Sequence, residues 1–143
     1  MTTMLEQIRW EFEPLFSEKG LTCSLDLEKN LMVTCDVDKM ERVFDNLLKN
    51  AVNYSYENTE IHIQAKRQED GKVLFIFRNH GKTISPEKLG RIFEQFFRLE
   101  SSRSSKTGGA GLGLAIARDI VRLHGGELSC ESEEETITFS MVL

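Results

Sequence analysis

Leu5, Ile8, Phe12, Leu15 and Phe16 recur at near-helical spacing and predict a helix over 4–19, stopped by Gly20. Leu21 to Leu27 alternates apolar and polar positions as a half-buried strand does, and Leu31 to Cys35 reads as a short second strand. Asp36 or Asp38 then suits a helix N-cap, with Glu41 three residues after Asp38 in a capping-box pattern. Met40, Val43, Phe44, Leu47, Leu48 and Ala51 form one apolar helical stripe. Residues 60–67 alternate through Ile61, Ile63 and Ala65, and 72–78 read as a strand buried on both faces, with Glu69-Asp70-Gly71 as the hairpin signal between them. Leu89, Ile92, Phe93, Phe96 and Phe97 predict a helix over 86–99. The stretch from Ser101 to Gly109 is small, polar and without a packing face, which predicts a mobile loop. Leu112 to His124 is helical in period, closed by Gly125. Glu127–Cys130 and Thr136–Leu143 predict a final hairpin with Ile137, Phe139, Met141 and Leu143 on one face. Helices with a mostly antiparallel sheet predict an α+β fold, a two-layer sandwich in one domain, 1–143, without repeats or an internal linker.

Composition narrows the function classes. The chain has 143 residues, 40% hydrophobic and 29% charged, an ordinary globular mix that excludes a disordered or fibrous protein. A formal charge of −5 speaks against a nucleic-acid binder. No stretch approaches the ~18 apolar residues of a membrane helix, and Met1–Glu6 lacks the basic and apolar regions of a secretory signal, so a cytoplasmic location is expected. Cys23, Cys35 and Cys130 are odd in number and widely spaced, which predicts buried reduced thiols rather than zinc or disulfides. Charge is uneven: between Lys82 and Lys106 stand six basic and three acidic residues, a positive island in an acidic chain that suits an anionic ligand.

Three constellations carry chemistry. Asn46, Asn50 and Asn53 lie at i, i+4 and i+7, a polar stripe on a helix whose interior disfavours Asn. An amide oxygen is a neutral hard ligand for Mg²⁺, and amide NH₂ groups donate to phosphate; a solvated face explains the stripe alone equally well. Gly108-Gly109-Ala110-Gly111-Leu112-Gly113-Leu114 opens an apolar helix, so exposed backbone N–H groups backed by a helix N-terminus form a phosphate cradle. The run is neither the dinucleotide fingerprint, lacking an immediately preceding strand, nor Walker A, lacking Gly-Lys-Ser/Thr. Asn79-His80-Gly81-Lys82-Thr83-Ile84 ends a buried strand, where an Asn beside a glycine can face a flat base and accept from an exocyclic amine. His62, His80 and His124 have no metal spacing and read as structural or surface residues.

In order, these segments resemble the catalytic and ATP-binding domain of sensor histidine kinases, in the superfamily that includes gyrase B, Hsp90 and MutL. Asp45–Tyr54 looks like the N box, Asn79–Ile84 the G1 box, Ile92–Arg98 the F box and Gly109–Leu114 the G2 box. The stretch Phe93–Ala117 is most similar to the vancomycin-resistance sensor kinases. The resemblance implies the Bergerat-type sandwich, with ATP between the N-box helix and a lid at about 98–109. It implies Mg²⁺ on Asn50, Asn46 at the phosphates, and Asn53 and Tyr54 lining the nucleotide site. It implies Asn79 at the adenine with Gly81 and Ile84 beside it, and phosphate contacts from Gly109, Gly111, Leu112 and Gly113. Arg98 would face the γ-phosphate or the acceptor domain, with Arg103 and Lys106 as further counter-charges. Asn79 stands where the family usually has Asp, Thr83 replaces the second G1 glycine, and Asn53 replaces a common Lys or Arg, so weak nucleotide affinity is expected.

Hydrolysing relatives carry a Glu where this chain has Asn46, and an amide cannot act as a base, so the expected chemistry is phosphoryl transfer rather than hydrolysis. None of the three histidines lies in the family's acceptor pattern. The expected partners are therefore a histidine-bearing dimerisation domain of the same kinase and, downstream, a response regulator; the chain alone is expected to be monomeric, part of the cytoplasmic portion of a membrane-anchored sensor. The alternatives are a serine kinase of the anti-sigma type and a clamp ATPase like MutL or gyrase B.

Overall fold

The computed structural model describes residues 1–97 and 113–143. The order is α1 (Thr2–Glu11), α2 (Glu13–Lys19), β1 (Thr22–Leu27), α3 (Val37–Tyr54), β2 (Glu60–Arg67), β3 (Val73–His80), α4 (Pro86–Leu89), α5 (Gly113–Leu123), β4 (Glu127–Glu133) and β5 (Thr136–Val142). The strands form one five-stranded sheet in the order β1-β2-β3-β5-β4. β1 pairs with β2 in parallel and the other neighbours are antiparallel. The helices pack on one face, giving the expected α+β sandwich.

Helix α3 is the centre of the core. Its stripe of Met40, Val43, Phe44, Leu47, Leu48, Ala51 and Val52 is buried. Phe44 sits 5.5 Å from Phe75 and 5.9 Å from Phe77 between ring centroids, and so anchors the helix over β3. Asp36 is the N-cap: its Oδ1 accepts from Lys39 N at 3.1 Å, and Asp38 falls in the first turn instead.

Several boundaries differ from the sequence reading, each for a local reason. The first helical stretch is two helices that break at Phe12, because Pro14 has no N–H to continue the ladder and its ring crowds the carbonyl of Trp10. Gly20 ends α2 at φ +66, as expected of a C-terminal glycine. Residues 31–35 form no strand: Leu31 O accepts from the Met1 amino group at 2.8 Å and Leu31 N donates to Thr2 Oγ1 at 3.1 Å, so α1 takes the groups a ladder would need. β3 is buried on one face only; Val73, Phe75, Phe77 and Asn79 point to the helices, while Arg78 and His80 are exposed. The helix expected over 86–99 is one turn, Pro86–Leu89, followed by turns through Phe96 at φ +65. Of its apolar positions Ile92 is enclosed and Phe93 meets Phe139 edge-on at 6.2 Å, whereas Phe96 is exposed. Residues 98 and 99 of that segment, and the lid and loop expected over 98–109, lie outside the described residues.

The final hairpin is longer than its pattern suggests. β4 runs to Glu133, which pairs with Thr136, so Glu134 and Glu135 alone make the turn, at φ +49 and +58. Two left-handed non-glycine residues in succession are unfavourable, and tertiary contacts hold them there. The three thiols are free, but only Cys23 is fully buried; Cys35 and Cys130 are half-buried. Burial pushes the Cys23 thiol up to about 11 and the Cys130 thiol up to about 12. Among the described residues no helix is long and apolar enough to cross a membrane.

Candidate functional site

The polar stripe of α3 faces neither the sheet nor open solvent. Asn46, Asn50, Asn53 and Tyr54 are all half-buried. Asn46 Nδ2 donates to Gly113 O at 3.1 Å, a bond between residues 67 apart in sequence, so the amide-bearing helix meets the start of α5. A Cβ on Gly113 would stand 3.3 Å from Asn46 Oδ1, so glycine lets the two segments come this close. At the other end Asp36 N donates to His124 Nε2 at 3.0 Å, and His124 Nδ1 donates to Ile120 O at 2.8 Å. That pair of bonds places the ring proton on Nδ1 and ties the end of α5 to the start of α3. The helices therefore run antiparallel, with α5 fastened at both of its ends along the first half of α3 and its first N–H groups beside Asn46.

The far end of α3 is held by α2. Lys19 Nζ donates to Val52 O at 2.7 Å, Ser55 O at 2.8 Å and Asn53 O at 3.3 Å, satisfying terminal carbonyls with a cation placed favourably for the helix dipole. The Tyr54 carbonyl is packed against Gly81: a Cβ on Gly81 would fall well inside contact distance of Tyr54 O. Only glycine fits there, which explains the backbone approach between the end of α3 and the loop after β3.

Asn79, the penultimate residue of β3, lies on the helix-facing side, 2% exposed, and its Nδ2 has no hydrogen-bond partner among the described residues. A buried amide donor without a partner is costly and calls for a ligand or water to complete it. Ile84 is buried just beyond. The intervening loop is strapped to the β4–β5 turn. Gly81 N donates to Glu135 O at 3.0 Å, Glu135 N to Thr83 Oγ1 at 2.7 Å, and Ile84 N to Ser132 Oγ at 2.9 Å. Tyr56 completes the strap, donating from its hydroxyl to Glu135 Oε1 at 3.2 Å and from its N–H to His80 O at 2.9 Å.

The structure thus brings together Asn46, Asn50, Asn53 and Tyr54 on one helix, Gly113 against Asn46, and Gly81 against Tyr54 with Asn79 and Ile84 alongside. Arg98, Arg103, Lys106, Gly109, Gly111 and Leu112 lie outside the described residues. Among the described residues no group of three His, Cys, Asp or Glu side chains could hold a metal ion. A cation at this site would rest on an amide oxygen and on the ligand's own anionic groups. The side-chain chemistry fits that arrangement: neutral hard oxygen on α3, glycine-exposed backbone at Gly113, and a buried, uncompleted amide at Asn79.

Lys19, Tyr56, Ser132 and Glu135 were missed by pattern reading. Lys19 precedes Gly20 and signals only the end of its own helix, and Glu-Glu is no hairpin turn signal. Thr83 stands where the family pattern has glycine, and its hydroxyl forms the strap. Thr83→Val removes one hydrogen-bond acceptor, a loss of about 1 kcal/mol. Nucleotide titration is expected to show affinity lowered by about fivefold, restored by Thr83→Ser.

With the geometry in place, comparison with known proteins is decisive. Residues 35–143 match the family of histidine kinase-, DNA gyrase B- and HSP90-like ATPases. The chain belongs to this family. Within it, the chain is 46% identical over 143 residues to the sensor protein VanSC of Enterococcus gallinarum, covering 100% of this chain and 39% of that protein. It is also 46% identical over 140 residues to the sensor protein VanS of Enterococcus faecium, covering 98% of this chain and 36% of the relative. The chain therefore spans about two fifths of the length of these sensor proteins. Among solved structures, the catalytic domain of histidine kinase ThkA superposes with a TM-score of 0.87 at 25% identity, covering 100% of this chain and 91% of that one. Full-length ShkA in complex with AMPPNP superposes at 0.84 and 26% identity, covering 98% of this chain and 29% of that one. As a member of the ATPase family, the chain carries the catalytic-domain fold of histidine kinases.

Proposed function

We propose that this domain binds Mg-ATP and presents its γ-phosphoryl group to a histidine on a separate dimerisation domain, in the cytoplasmic part of a two-component sensor kinase. The supporting observation is the junction of Asn46 with Gly113, which sets the amide face of α3 beside the N-terminus of α5. When bound, Mg-ATP supplies the transferable phosphoryl group and the cation that neutralises it. Asn50 offers an amide oxygen to that cation. Asn46 keeps its bond to Gly113 O and so fixes the spacing between α3 and the phosphate-facing backbone; Gly113, with Gly109, Gly111 and Leu112 before it, belongs to that cradle. Asn53 and Tyr54 line the nucleotide site, and Asn79, Gly81 and Ile84 receive the base. Arg98, Arg103 and Lys106 supply counter-charge.

Asn46 carries no basic lone pair, so it cannot activate water, and transfer outpaces hydrolysis. The nucleophile comes from outside the chain. The similarity to VanS-type sensors supports a role in sensing linked to antibiotic resistance, and the structure of ThkA in complex with response regulator TrrA supports a response regulator downstream.

The chain incubated with Mg²⁺ and γ-labelled ATP is expected to stay unlabelled. Added histidine-bearing domain of the parent kinase is expected to acquire an acid-labile, base-stable phosphate. Robust self-labelling, or an acid-stable label on serine, contradicts the proposal.

A further inference from the structure

We infer that the Asn79 amide reads the six-position of a purine in either chemical form, so the site accepts 6-oxopurine nucleotides alongside ATP. The inference rests on the proposed role of Asn79 at the base. Asn79 shares the helix-facing side of β3 with Val73, Phe75 and Phe77. It is 2% exposed, and its Nδ2 has no partner among the described residues. That nitrogen lies 3.5 Å from the Cβ position of Gly81, the same position that closes on Tyr54 O. The amide therefore sits at the junction of the strand end, the glycine loop and the end of α3.

A carboxylate at that place can only accept. It pairs with an exocyclic amine and opposes a carbonyl, two acceptors facing each other without water to relay between them. An amide has both functions. Turned one way, its Oδ1 accepts from the 6-amino group of adenine while Nδ2 donates to N1. Turned the other way, Nδ2 donates to the 6-oxo group of hypoxanthine or guanine while Oδ1 accepts from N1–H. The unpartnered Nδ2 finds an acceptor in both cases, so neither base leaves a buried donor unmet. Being uncharged, the amide also carries no electrostatic bias against the carbonyl. Discrimination at this position is accordingly small, and a single-atom change at residue 79 creates it.

Inosine triphosphate isolates the six-position, since it differs from ATP there and in the protonation of N1. Calorimetric titration of the chain with Mg-ATP and Mg-ITP at equal ionic strength is expected to give affinities within about tenfold of each other, whereas rejection of an unmatched polar group by a committed site exceeds that. Asn79→Asp is expected to widen the ATP-to-ITP ratio by at least about tenfold, the loss of one buried hydrogen bond plus the opposed acceptors. An ITP affinity more than about tenfold below that of ATP in the parent chain overturns the inference while leaving ATP binding intact. An unchanged ratio in folded Asn79→Asp overturns it as well. Should Asn79→Asp fail to fold, Asn79→Ser, too short to span to the base, is expected to weaken both nucleotides alike; weakening of ATP alone overturns the inference. Failure of ATP itself to bind the parent chain removes the underlying role of Asn79, an outcome visible before any ITP is added.

Discussion

Asn50→Ala is expected to reduce magnesium-dependent nucleotide affinity by at least about tenfold, the scale of one lost interaction with a charged partner, without lowering thermal stability. The two readouts separate for a physical reason. Asn50 is half-buried on the polar face of α3, away from the stripe that packs on Phe75 and Phe77. Asn is among the poorer residues in a helix interior, and alanine improves on it by about 0.5 kcal/mol or slightly more. The variant is therefore expected to melt at or above the parent temperature while losing its cation ligand. Asn46→Ala serves as contrast. It gains the same propensity but gives up the bond to Gly113 O, a loss of about 1 kcal/mol, so its stability is expected to change little in net. Thermal melts and titrations with and without Mg²⁺ check both variants. Equal affinity in the parent chain and Asn50→Ala would remove Asn50 from the metal site.

Gly81→Ala is expected to have the larger effect on the fold near the site. The added methyl would meet the Tyr54 carbonyl, which is backbone and cannot rotate away. The loop must move, and with it the bond from Gly81 N to Glu135 O that holds the β4–β5 turn. Overpacking of this kind costs about 1–3 kcal/mol. Because the displaced loop carries Asn79 and Ile84 at its ends, nucleotide binding is expected to fall below detection in chain that remains folded. Gly126→Ala is the control. Its methyl would meet Val142 O in the same way, but at the end of the β4–β5 hairpin opposite Glu134 and Glu135. It is expected to lower the melting temperature comparably and leave nucleotide affinity unchanged. Equal binding losses from the two glycine substitutions would show that Gly81 acts through global stability alone.

Much of this architecture was legible in the residues themselves. The α3 stripe is spaced for a helix and buried as spaced, and β2 spans the expected 60–67 because Ile61, Ile63 and Ala65 alternate without interruption. Helix α5 ends where Gly125 adopts φ +76. Local signals failed where tertiary contacts decide. Leu31 to Cys35 has strand-like residues, but Met1 and Thr2 claim the carbonyl and N–H of Leu31, and Arg67 claims the Met32 carbonyl. The helical period through Phe97 survives as burial of Ile92 and the contact of Phe93 with Phe139, while the bonds from Arg91 N to Lys88 O and from Glu94 N to Arg91 O are tight-turn bonds three residues apart in place of a helical ladder. Of the site, the Asn stripe and the glycines were visible because each is an unfavourable choice for its local structure. The strap through Thr83, Glu135, Tyr56 and Ser132, and the cap by Lys19, join segments distant in sequence and left no periodic trace.

Backbone amide NMR shifts recorded during titration with Mg-ATP test the proposed nucleotide site most directly. The largest changes are expected at Asn46–Tyr54, Asn79–Ile84 and the first turn of α5 from Gly113, with small changes on the outer sheet face at Ser24, His62 and Arg78. Shifts confined to that outer face, or none at saturating nucleotide, would contradict a nucleotide held along the amide face of α3 beside the start of α5.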